Sequence, residues 1–520
     1  MLISLKWLRS LVRCDASPDE IAHRLTMAGL EVEAIEPFHF GLERVEVGSI
    51  QSIKQHPTVE HLQVCKVQGS GDSLDVVCGA PNVAKGQMVP LALDGACLAD
   101  GAEVSSAEIH GVFSQGMLCS EKELGLGGDA SSIMVLDSNL SPGTPLAEAL
   151  ELDDVVLDIG ITPNRADCLS LVGIAREVAA LFGLSWSLPP ITLKETGPPV
   201  ETLTSVTIED PDLCPRYAAR VVQNITIKPS PLWLRQRLEA QGIRAINNIV
   251  DVTNYVMLEL GQPLHAFDYH RLDGNRIVVR RAQPKETFIT LDGQKHELQR
   301  DMLLICDASQ GVALAGVMGG LDSEIAPDTN TVLIESAHFQ PTGTRRTAKA
   351  LGMSTESSYR FERGVDPEGV LTALDRAAQL MVELGDGELA AGCIDVYPVP
   401  IGQESIQLHV SKTNRFLGTD LTREEICKHL ESIQLQVRTA EEDLLVVDPP
   451  SFRADLSREV DLMEEVARLA GYDRIPSASP MARLASAKPA QDQVIRQQTK
   501  ELLTTHGFCE IVSYSFISPQ

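Results

Sequence analysis

The stretch from residue 244 to residue 268 carries the clearest hydrophobic pattern of the chain. Its apolar residues recur three and four positions apart, as on one face of a helix: Ile246, Ile249, Val250, Val256, Met257 and Leu260. Asn247, Asp251 and Asn254 fall on another face of this predicted helix. Gly261 and Pro263 predict its end and an extended segment beyond it. Because asparagine and β-branched residues are poor helix formers, we expect tertiary contacts to hold this helix.

Two helical patterns near the ends of the chain repeat each other. Residues 17–36 open with a capping box, continue as an amphipathic helix and turn at Gly29 into a short strand. Residues 422–437 follow the same pattern with a constant offset of 405 residues, so that Ser17, Glu20, Ile21, Leu25, Leu30 and Val32 correspond to Thr422, Glu425, Ile426, Leu430, Leu435 and Val437. The alternative to a true repeat is a chance similarity of two amphipathic helices.

A second pair of matching segments lies farther along the chain. With an offset of 288 residues, Arg165, Asp167, Glu177 and Gly183 correspond to Arg453, Asp455, Glu465 and Gly471. Capping box, strand and Arg-Ala-Asp turn keep their order in both copies, so we interpret them as one α+β module used twice. The offsets 405 and 288 differ by 117 residues, which predicts an insertion of that length into the first copy between Glu36 and Asp154.

The inserted segment, from residue 45 to about residue 145, alternates short strand patterns with glycine and asparagine turns. Many short strands with few helices predict a small β-barrel. Barrels of the OB type bind oligonucleotides on an open face, although an analogy of fold does not establish function. Basic residues are few in this segment.

Residues 201–397 have the mixed pattern of an α/β region, which includes the central helix. Small residues at positions 315, 316, 319 and 320 allow close backbone approach, either to another strand or to a ligand. Glu335 interrupts an apolar strand at residues 331–337 and requires a hydrogen-bonding partner if it points inward. An exposed strand end for Glu335, and a structural role for His265 after the central helix, are the alternatives.

A predicted helix at residues 341–352 carries the basic residues Arg345, Arg346 and Lys349 within two turns. This cluster is the best candidate for phosphate contacts, and a solvated basic face is the alternative. The formal net charge of −28 opposes non-specific binding of nucleic acid by the whole chain. Any RNA must therefore meet a local basic patch or be held partly by a partner.

Four acidic residues lie close together in the second copy of the module: Asp455, Asp461, Glu464 and Glu465. The last three share one helical face, where like charges repel unless a cation neutralises them. The first copy has Gly173 and Arg176 in place of Asp461 and Glu464, so only one copy carries the cluster. Such oxygen ligands suit Mg²⁺ that keeps several waters and shares a ligand with a partner, and a solvated acidic face is the alternative.

Length and composition favour a multidomain protein with reduced cysteines. At 520 residues, a prior of roughly 100 to 200 residues per domain predicts about three to five domains. No stretch has the apolar length of a transmembrane helix, and the N-terminus lacks the features of a signal peptide. Eleven cysteines without a C-x-x-C pair argue against a zinc ribbon and a disulfide framework. We therefore expect a cytoplasmic protein.

Several motifs together resemble the β subunit of bacterial phenylalanyl-tRNA synthetase. They are GQPLHAFD at residues 261–268, AGVMGG at 315–320, SYRFERGVDPE at 358–368, ITPNRADCLS at 161–170 and SFRADLSREVDLMEEVARLAGYDRIP at 451–476. HPTVEHLQVCKV, VCGAPN and SQGMLCSEKELGL resemble the inserted tRNA-binding OB domain of that family. The resemblance extends over essentially the whole sequence, with the motifs in family order.

The resemblance implies a multi-domain α+β fold class with an inserted OB-type β-barrel, a repeated small α+β module, a central α/β editing domain and the start of a class II synthetase-like domain. The expected boundaries are 1–38 plus 152–190 for the split N-terminal module, 39–150 for the OB-fold tRNA-binding domain, 200–400 for the editing domain, 401–476 for the second copy with the Mg²⁺-binding acids, and 477–520 for the start of the synthetase-like domain. Family members continue through a full synthetase-like domain and an anticodon-binding domain, so we expect this chain to be a C-terminally truncated fragment.

The family attaches phenylalanine to its tRNA with ATP and Mg²⁺, as a heterotetramer of two α and two β chains. Its aminoacylation site lies on the α subunit, while the β subunit contacts tRNA and hydrolyses tyrosine that has been attached to phenylalanine tRNA in error. For this chain the resemblance implies an α-subunit partner, phenylalanine tRNA, Mg²⁺ shared with the α subunit, ATP as a substrate of the assembled enzyme, and no membrane.

The resemblance also assigns residues to the editing site: Arg244, His265, Glu335 and Thr355 as catalytic residues, with Gly316 lining the pocket. We expect Glu335 to accept a hydrogen bond from the tyrosine hydroxyl, His265 to orient the attacking water, and Thr355 with Arg244 to hold the ester or the terminal adenosine. A site that hydrogen-bonds this hydroxyl rejects phenylalanine because its own polar group would be left unpaired. Ser357 departs from the alanine of the family's T-x-A-S segment. The shared Mg²⁺ site maps onto Asp455, Asp461, Glu464 and Glu465.

No Ser-His-Asp arrangement is evident, so we expect direct attack by water rather than a covalent intermediate. A non-catalytic tRNA-binding and assembly subunit with an inactive editing pocket is one alternative, and a freestanding deacylase is another. The presence of His265, Glu335 and Thr355 favours an active pocket, and the synthetase-like sequence after residue 476 argues against a freestanding protein.

Overall fold

The computed structural model describes residues 1–38, 42–477 and 488–518. The chain divides into two units, Met1–Ile475 and Pro476–Gln520. The expected domain boundary at residue 39 and part of the expected synthetase-like start, residues 478–487, lie outside the described residues. Within the described residues no helix is long and apolar enough to cross a membrane. All eleven cysteines are free thiols.

The first 38 residues supply two strands and two helices. They are β1 (Leu2–Ser4), α1 (Leu5–Leu11), α2 (Pro18–Met27) and β2 (Glu31–Phe38). The Ser17 hydroxyl caps α2 by accepting a hydrogen bond from the Glu20 amide. Ile21 and Leu25 on α2 are fully buried, as expected from the amphipathic pattern.

The inserted segment forms its own antiparallel sheet. Its elements are β3 (Val45–Gln55), β4 (Gln63–Gln68), β5 (Leu74–Cys78), β6 (Met88–Leu93), β7 (Ala107–Ile109), β8 (Val112–Ser114), β9 (Gly116–Leu118) and α3 (Leu146–Ala149). Five strands pair in the order β5-β4-β3-β6-β9, and β7 pairs with β8. The Gln115 amide donates to the Asp75 carbonyl at 2.9 Å, which links the segment entering edge strand β9 to edge strand β5.

After the insertion, β10 (Asp154–Gly160) completes the first sheet and is followed by helix α4 (Leu171–Phe182). β10 lies between β1 and β2, and its Leu157 is opposite both Ile3 and Ile35. The chain therefore leaves this sheet after β2 and re-enters it at β10.

The central region forms two larger sheets and the two-stranded sheet β16-β17, together with five α-helices. Its elements are β11 (Glu195–Pro199), β12 (Ser205–Ile208), β13 (Arg216–Gln223), α5 (Leu232–Glu239), α6 (Asn248–Leu260), β14 (Leu264–Asp268), β15 (Arg276–Arg281), β16 (Thr287–Ile289), β17 (Lys295–Glu297), β18 (Leu303–Cys306), β19 (Gly311–Leu314), β20 (Met318–Gly319), β21 (Val332–His338), α7 (Pro341–Leu351), α8 (Glu356–Phe361), α9 (Gly369–Gly385), β22 (Glu388–Ala391) and β23 (Ile394–Val396). One sheet has the order β11-β22-β13-β21-β14 with β23 also paired to β13, and the other has the order β12-β15-β18-β19-β20.

Strand β21 is buried along its whole length and shows how these layers pack. Val332 and Ile334 share a core cluster with residues of α6 and α9. Leu333 and Ala337 belong to a second cluster with residues of β15 and β18. Because side chains alternate along a strand, Glu335 faces the same side as Leu333, toward the second sheet.

The segment predicted to be a second copy of the module contains β24 (Ile406–His409), α10 (Val410–Leu417), α11 (Arg423–Ser432), β25 (Gln436–Thr439), β26 (Leu444–Asp448) and α12 (Glu459–Ala470). Its antiparallel sheet has the order β24-β26-β25, which corresponds strand for strand to β1-β10-β2. Thr422 and Glu425 form a capping box at the start of α11, in the position of Ser17 and Glu20 at the start of α2. The two segments thus have the same element order and pairing.

The unit Pro476–Gln520 contains α13 (Gln491–Thr505). The apolar pattern of residues 508–516, Phe-Cys-Glu-Ile-Val-Ser-Tyr-Ser-Phe, is typical of a strand, but the structure has no strand there. No strand lies beside them among the described residues of this unit, and an unpaired strand leaves its backbone groups without partners.

Candidate active site and carboxylate cluster

The central helix α6 positions the first candidate residue. The Asn247 side chain caps it by accepting hydrogen bonds from the amides of Ile249 and Val250, both at 3.0 Å. Gly261 ends the helix in the left-handed conformation, with φ 80°, and its amide donates to the Met257 carbonyl. The chain then turns directly into β14, which carries His265.

Glu335 and His265 lie directly opposite each other on the paired strands β21 and β14. Directly opposite residues of an antiparallel pair place their side chains on the same face of the sheet. On the other side of β21, strand β13 carries Tyr217, whose hydroxyl donates to Oε2 of Glu335 at 2.8 Å. The inward-facing carboxyl group therefore has the hydrogen-bonding partner that the sequence required but did not identify.

The glycine turn after β19 approaches His265 closely. A Cβ atom on Gly319 would lie 2.4 Å from Cε1 of His265, so only glycine leaves room for this imidazole. Gly316 has φ 68°, and a Cβ there would lie 3.0 Å from the rings of Phe339 and Phe361. The expected close backbone approach is therefore made to side chains of the site.

Thr355 fixes this turn to the start of α8. Its hydroxyl donates to the Val317 carbonyl at 2.8 Å and accepts from the Ser358 amide at 3.0 Å. The Ser358 hydroxyl in turn accepts from the Thr355 amide, which completes a capping box. One lone pair of the Thr355 hydroxyl remains for a ligand.

A cavity of about 270 Å³ collects most of the expected editing residues. Its lining includes Thr253, Asn254, His265, Gly316, Glu335, Thr355, Ser357 and Phe361. Arg244 is not in this lining and lies in the exposed segment before α6. Ser357 does line the cavity, so the departure from alanine places a hydroxyl there.

Burial decides the protonation of His265 and Glu335, which both line this cavity. It raises the pKa of Glu335 to about 8, against a smaller lowering by the hydrogen bond from Tyr217. Burial also lowers the pKa of His265 to about 4. Near neutral pH the pair is therefore a protonated carboxyl group and a neutral imidazole. The Nε2 atom of His265 is buried and has no hydrogen-bond partner among the described residues.

Arginines hold two of the four expected metal ligands. Arg453 pairs with both Asp455 and Glu465 at 2.8 Å, and Arg468 pairs with Glu465. Burial alone would raise the pKa of Glu465, but the hydrogen bonds and charges of these arginines outweigh it and lower the pKa. In this structure arginine supplies the positive charge that the sequence suggested would come from a metal ion.

The first of the two matching segments has a corresponding cluster, and the two clusters are in contact. Arg165 pairs with Asp167 at 2.8 Å and with Glu177 at 2.6 Å. Arg468 reaches across from α12 to Glu177 at 2.6 Å. The corresponding position in the first copy is Ala180, so the bridging arginine exists in one copy only. The sequence repeat marked Arg165 and Arg453 but gave no signal that Arg468 would join them.

The other two acids, Asp461 and Glu464, differ in exposure. Asp461 accepts from the backbone amides of Ser457 and Arg458 at the start of α12 and pairs with the Arg458 side chain. Glu464 is exposed and has no ion pair among the described residues. In the described part of the chain, only Asp167, Cys168 and Glu177 form a group of three potential metal ligands within 4.8 Å of one another.

The basic cluster on α7 is solvent-exposed. Arg345, Arg346 and Lys349 make no ion pairs with described residues, while Thr344, Thr347 and Ala348 on the opposite face are buried. α7 leads through Gly352 to Thr355 at the cavity. The three cations thus remain available for a phosphate contact near the candidate site.

Four family models match this chain in succession. They are described as "Putative tRNA binding domain" at residues 45–145, "B3/4 domain" at 213–386, "tRNA synthetase B5 domain" at 406–472 and "Phenylalanyl tRNA synthetase beta chain CLM domain" at 475–520. The candidate cavity falls in the second, and the carboxylate cluster in the third.

The chain is also similar over its full length to three bacterial phenylalanine–tRNA ligase beta subunits. It is 47% identical to that of Syntrophus aciditrophicus, 47% to that of Geobacter sulfurreducens and 48% to that of Moorella thermoacetica. Each match covers 100% of this chain and 65% of the relative, so the chain spans about two-thirds of their length. Among solved structures, an N-terminal fragment of the phenylalanyl-tRNA synthetase beta-subunit from Pyrococcus horikoshii aligns over 90% of this chain and 99% of that chain at 13% identity, with a TM-score of 0.39, a likeness too low to carry an argument.

The models and the mixed α/β architecture define a multidomain chain of the tRNA synthetase class. More particularly, this chain belongs to the family of bacterial phenylalanine–tRNA ligase beta subunits.

Proposed function

We propose that this chain acts as the β subunit of a phenylalanine–tRNA ligase, in which it binds tRNA and hydrolyses tyrosyl esters of phenylalanine tRNA. The observation that carries the editing activity is the convergence of His265, Glu335 and Thr355 on one cavity. These residues come from separate segments, and packing alone does not require a carboxyl group, an imidazole and a hydroxyl to line the same space.

Selectivity for tyrosine would come from Glu335. Its carboxyl group is buried on a strand, and Tyr217 engages one of its oxygens. The remaining hydrogen-bonding capacity would be satisfied by the phenol hydroxyl of tyrosine and left unsatisfied by phenylalanine. An unsatisfied buried polar group costs about 1–3 kcal/mol, which corresponds to a preference of roughly ten- to a hundredfold.

Hydrolysis would use a water molecule next to His265. The neutral imidazole can accept a hydrogen bond from this water at Nε2, which has no hydrogen-bond partner among the described residues. Thr355 would hold the ester through its remaining lone pair, and Arg244, outside the cavity lining, would hold the terminal adenosine. The reaction is a direct attack of water on the ester carbonyl, with the tRNA hydroxyl as the leaving group.

The domain assignment and the partners belong to the same proposal. Residues 1–38 plus 152–190 and residues 401–476 would be two copies of one module, residues 39–150 an OB-type tRNA-binding domain, residues 200–400 the editing domain and residues 477–520 the start of a synthetase-like domain. The assembled cytoplasmic enzyme would contain two α and two β chains and use ATP for aminoacylation on the α subunit. The strand orders of the two modules and the free cations on α7 support this arrangement.

We also propose that Mg²⁺ binds at Asp455, Asp461, Glu464 and Glu465. The donor set fits in part, because Glu464 is free to act as a ligand while Asp455 and Glu465 would have to exchange Arg453 for the ion. Asp461 already accepts hydrogen bonds at the helix start. When bound, the ion would add positive charge that a carboxylate of the α subunit could share.

The experiment is single-turnover deacylation of tyrosyl and phenylalanyl esters of phenylalanine tRNA by the complex of the α subunit and a full-length β chain. Glu335→Ala and His265→Ala should each slow tyrosyl hydrolysis, and neither should create phenylalanyl hydrolysis. Aminoacylation by the same preparations is the control for assembly. If Glu335→Ala keeps both the tyrosyl rate and the preference, the carboxyl group is structural and the chain is better described as a tRNA-binding and assembly subunit.

A further inference from the structure

A second cavity, of about 260 Å³, lies where α4, the end of α6 and the start of α9 meet the turn before α12. We refer to it as the junction cavity. Arg176, Gln262, Asp366, Thr372 and Phe452 are among its lining residues, and none of them lines the editing cavity. A single ordered water occupies about 30 Å³ of liquid volume, so the junction cavity has room for a small molecule.

Arg176 enters this cavity without a hydrogen-bond acceptor. Its guanidinium carbon lies 3.7 Å from the centre of the Phe452 ring and 5.2 Å from that of Trp186. The Nε–H is buried and has no partner among the described residues, with which Arg176 also forms no ion pair. A planar guanidinium carries five N–H donors, and leaving buried donors unpaired is costly. The burial also lowers the pKa of Arg176.

Gln262 brings an unused acceptor to the same cavity. It is only 3% exposed, and its amide nitrogen donates to the carbonyls of Pro263 and Ala337 at 3.1 and 2.8 Å. These two bonds determine which end of the amide is nitrogen. Its Oε1 is therefore a genuine acceptor, and it is buried with no partner among the described residues.

The charges around the cavity leave one cation and one anion unpaired. Asp167 is neutralised by Arg165, and Glu368 contacts Arg216 at 3.4 Å. Asp366 accepts one hydrogen bond from the Glu368 amide and forms no ion pair within the described parts of the chain. Arg176 and Asp366 both line the cavity but do not pair with each other, so an occupant of opposite charges would satisfy both.

We propose that the junction cavity binds a free α-amino acid as its zwitterion, at a site separate from the editing cavity. The carboxylate of the amino acid accepts hydrogen bonds from the Arg176 guanidinium, whose forked donors match a carboxylate. The ammonium group donates to Oε1 of Gln262 and to the Asp366 carboxylate. A phosphate or a simple carboxylate fits less well, because it has no positive charge to pair with Asp366 and is repelled by that carboxylate. This inference does not depend on the proposed editing activity.

The test uses the purified 520-residue chain. A thermal-shift screen of the standard L-amino acids at millimolar concentration identifies the strongest probe, and isothermal titration calorimetry measures its Kd. The same measurement is made with the amine that lacks its carboxylate and with the acid that lacks its ammonium group. We expect the amino acid to bind and each partial probe to bind about tenfold more weakly or worse, since each loses a charge-assisted contact.

Two variants locate the site. Arg176→Met should weaken binding about tenfold or more, because it keeps the apolar stem and removes the carboxylate contact. Thr372 is exposed on α9 and lines the cavity, so Thr372→Trp should block binding without disturbing the buried charge pairs. Arg24→Met is the matched control: Arg24 also stacks on an aromatic ring, that of Phe182 at 4.1 Å, but lies outside the cavity lining. Glu335→Ala should bind as the unaltered chain does.

Three results would overturn the proposal. The first is that no amino acid binds, which leaves a cavity filled with water alone. The second is binding that survives both Arg176→Met and Thr372→Trp, or that is lost with Glu335→Ala, which assigns the ligand to another place. The third is equal binding of the acid that lacks the ammonium group, which removes the role of Gln262 and Asp366. If Arg176→Met does not fold, as judged by circular dichroism, Thr372→Trp decides.

Discussion

Tyr217 donates a hydrogen bond of 2.8 Å to Glu335, and both side chains are buried. The two residues lie on the adjacent strands β13 and β21, where Tyr217 is opposite Ala337 and Glu335 is opposite Ala219. The hydroxyl therefore reaches diagonally across the sheet to one oxygen of the carboxyl group. This contact sets both the orientation of Glu335 and part of its affinity for a proton.

Glu335→Gln should remove a pH dependence of stability. The pKa of Glu335 is about 8 in the folded chain against 4.5 for an ordinary glutamate, so between these values the folded state holds more protons than the unfolded state. The free energy of unfolding therefore falls as pH rises from about 4.5 to 8, by an amount on the order of a few kcal/mol. Chemical denaturation at several pH values should show this fall in the unaltered chain relative to Glu335→Gln. Parallel curves for the two proteins would contradict a buried, protonated Glu335.

Tyr217→Phe should extend to higher pH the range over which the free energy of unfolding falls. The Tyr217 hydrogen bond lowers the pKa of Glu335 against the larger effect of burial, so its loss should raise the pKa further. Tyr269→Phe is the control, because the Tyr269 hydroxyl also donates one hydrogen bond, at 2.6 Å, but to the Leu203 carbonyl. The same denaturation series should leave the Tyr269→Phe profile unchanged in shape. A shift of equal size in both variants would mean that Tyr217 acts through general stability.

Gly319→Ala should displace His265. The new Cβ would lie 2.4 Å from Cε1 of the imidazole, so the ring must move, and overpacking of this kind costs about 1–3 kcal/mol of stability. In the assembled enzyme, tyrosyl hydrolysis should fall about tenfold or more, since a misplaced catalytic group loses its geometry. Gly71→Ala, with no atom within 4 Å of the added Cβ, is the control and should change neither quantity. If Gly319→Ala hydrolyses the tyrosyl ester at the normal rate, His265 does not take part in the reaction.

Arg468→Met should destabilise the junction between the two modules. Arg468 pairs with Glu177 of α4 and with Glu465 of α12, and all three side chains are buried. Removing one partner of a buried ionic cluster typically costs about 3–5 kcal/mol, because charges remain that are not compensated. Arg423→Met removes the exposed pair with Glu424 and should cost less than about 1 kcal/mol. If the two variants lose the same free energy of unfolding in urea denaturation, the buried ion pairs of Arg468 contribute no more stability than an exposed pair.

Glu464→Gln should weaken Mg²⁺ binding without affecting the fold. Glu464 is exposed and carries no ion pair among the described residues, so its charge is available to a metal ion. Asp461→Asn should also weaken binding, whereas Asp461→Ala would in addition remove a cap of α12 worth about 1 kcal/mol. Titration of Mg²⁺ into the complex with the α subunit measures the effect. Identical titration curves for the unaltered protein and both variants would show that the four acidic residues form a solvated face and not a Mg²⁺ site.

The amino-acid sequence alone determined much of the local structure. The spacing of apolar residues, Asn247 before the central helix and Gly261 after it predicted α6, because capping and helix periodicity act within a few residues. Ile246 is the exception, since it lies before the helix and is 67% exposed. The constant offsets between matching positions indicated two related segments, and the sheets of these segments have the same strand order. The resemblance to the family predicted His265, Glu335 and Thr355 as site residues from the sequence alone.

Tertiary structure decided which partners these residues have. Tyr217 lies in a buried strand without a distinguishing motif, and only the pairing of β13 with β21 brings its hydroxyl to Glu335. Arg468 gains its partner Glu177 across 291 residues of sequence, which no local pattern could indicate. Protonation of Glu335, neutralisation of Glu465 and the position of Arg244 outside the cavity likewise depend on long-range packing. Helix and strand patterns reflect interactions between neighbours in sequence, whereas desolvation and charge pairing reflect whatever the fold places nearby.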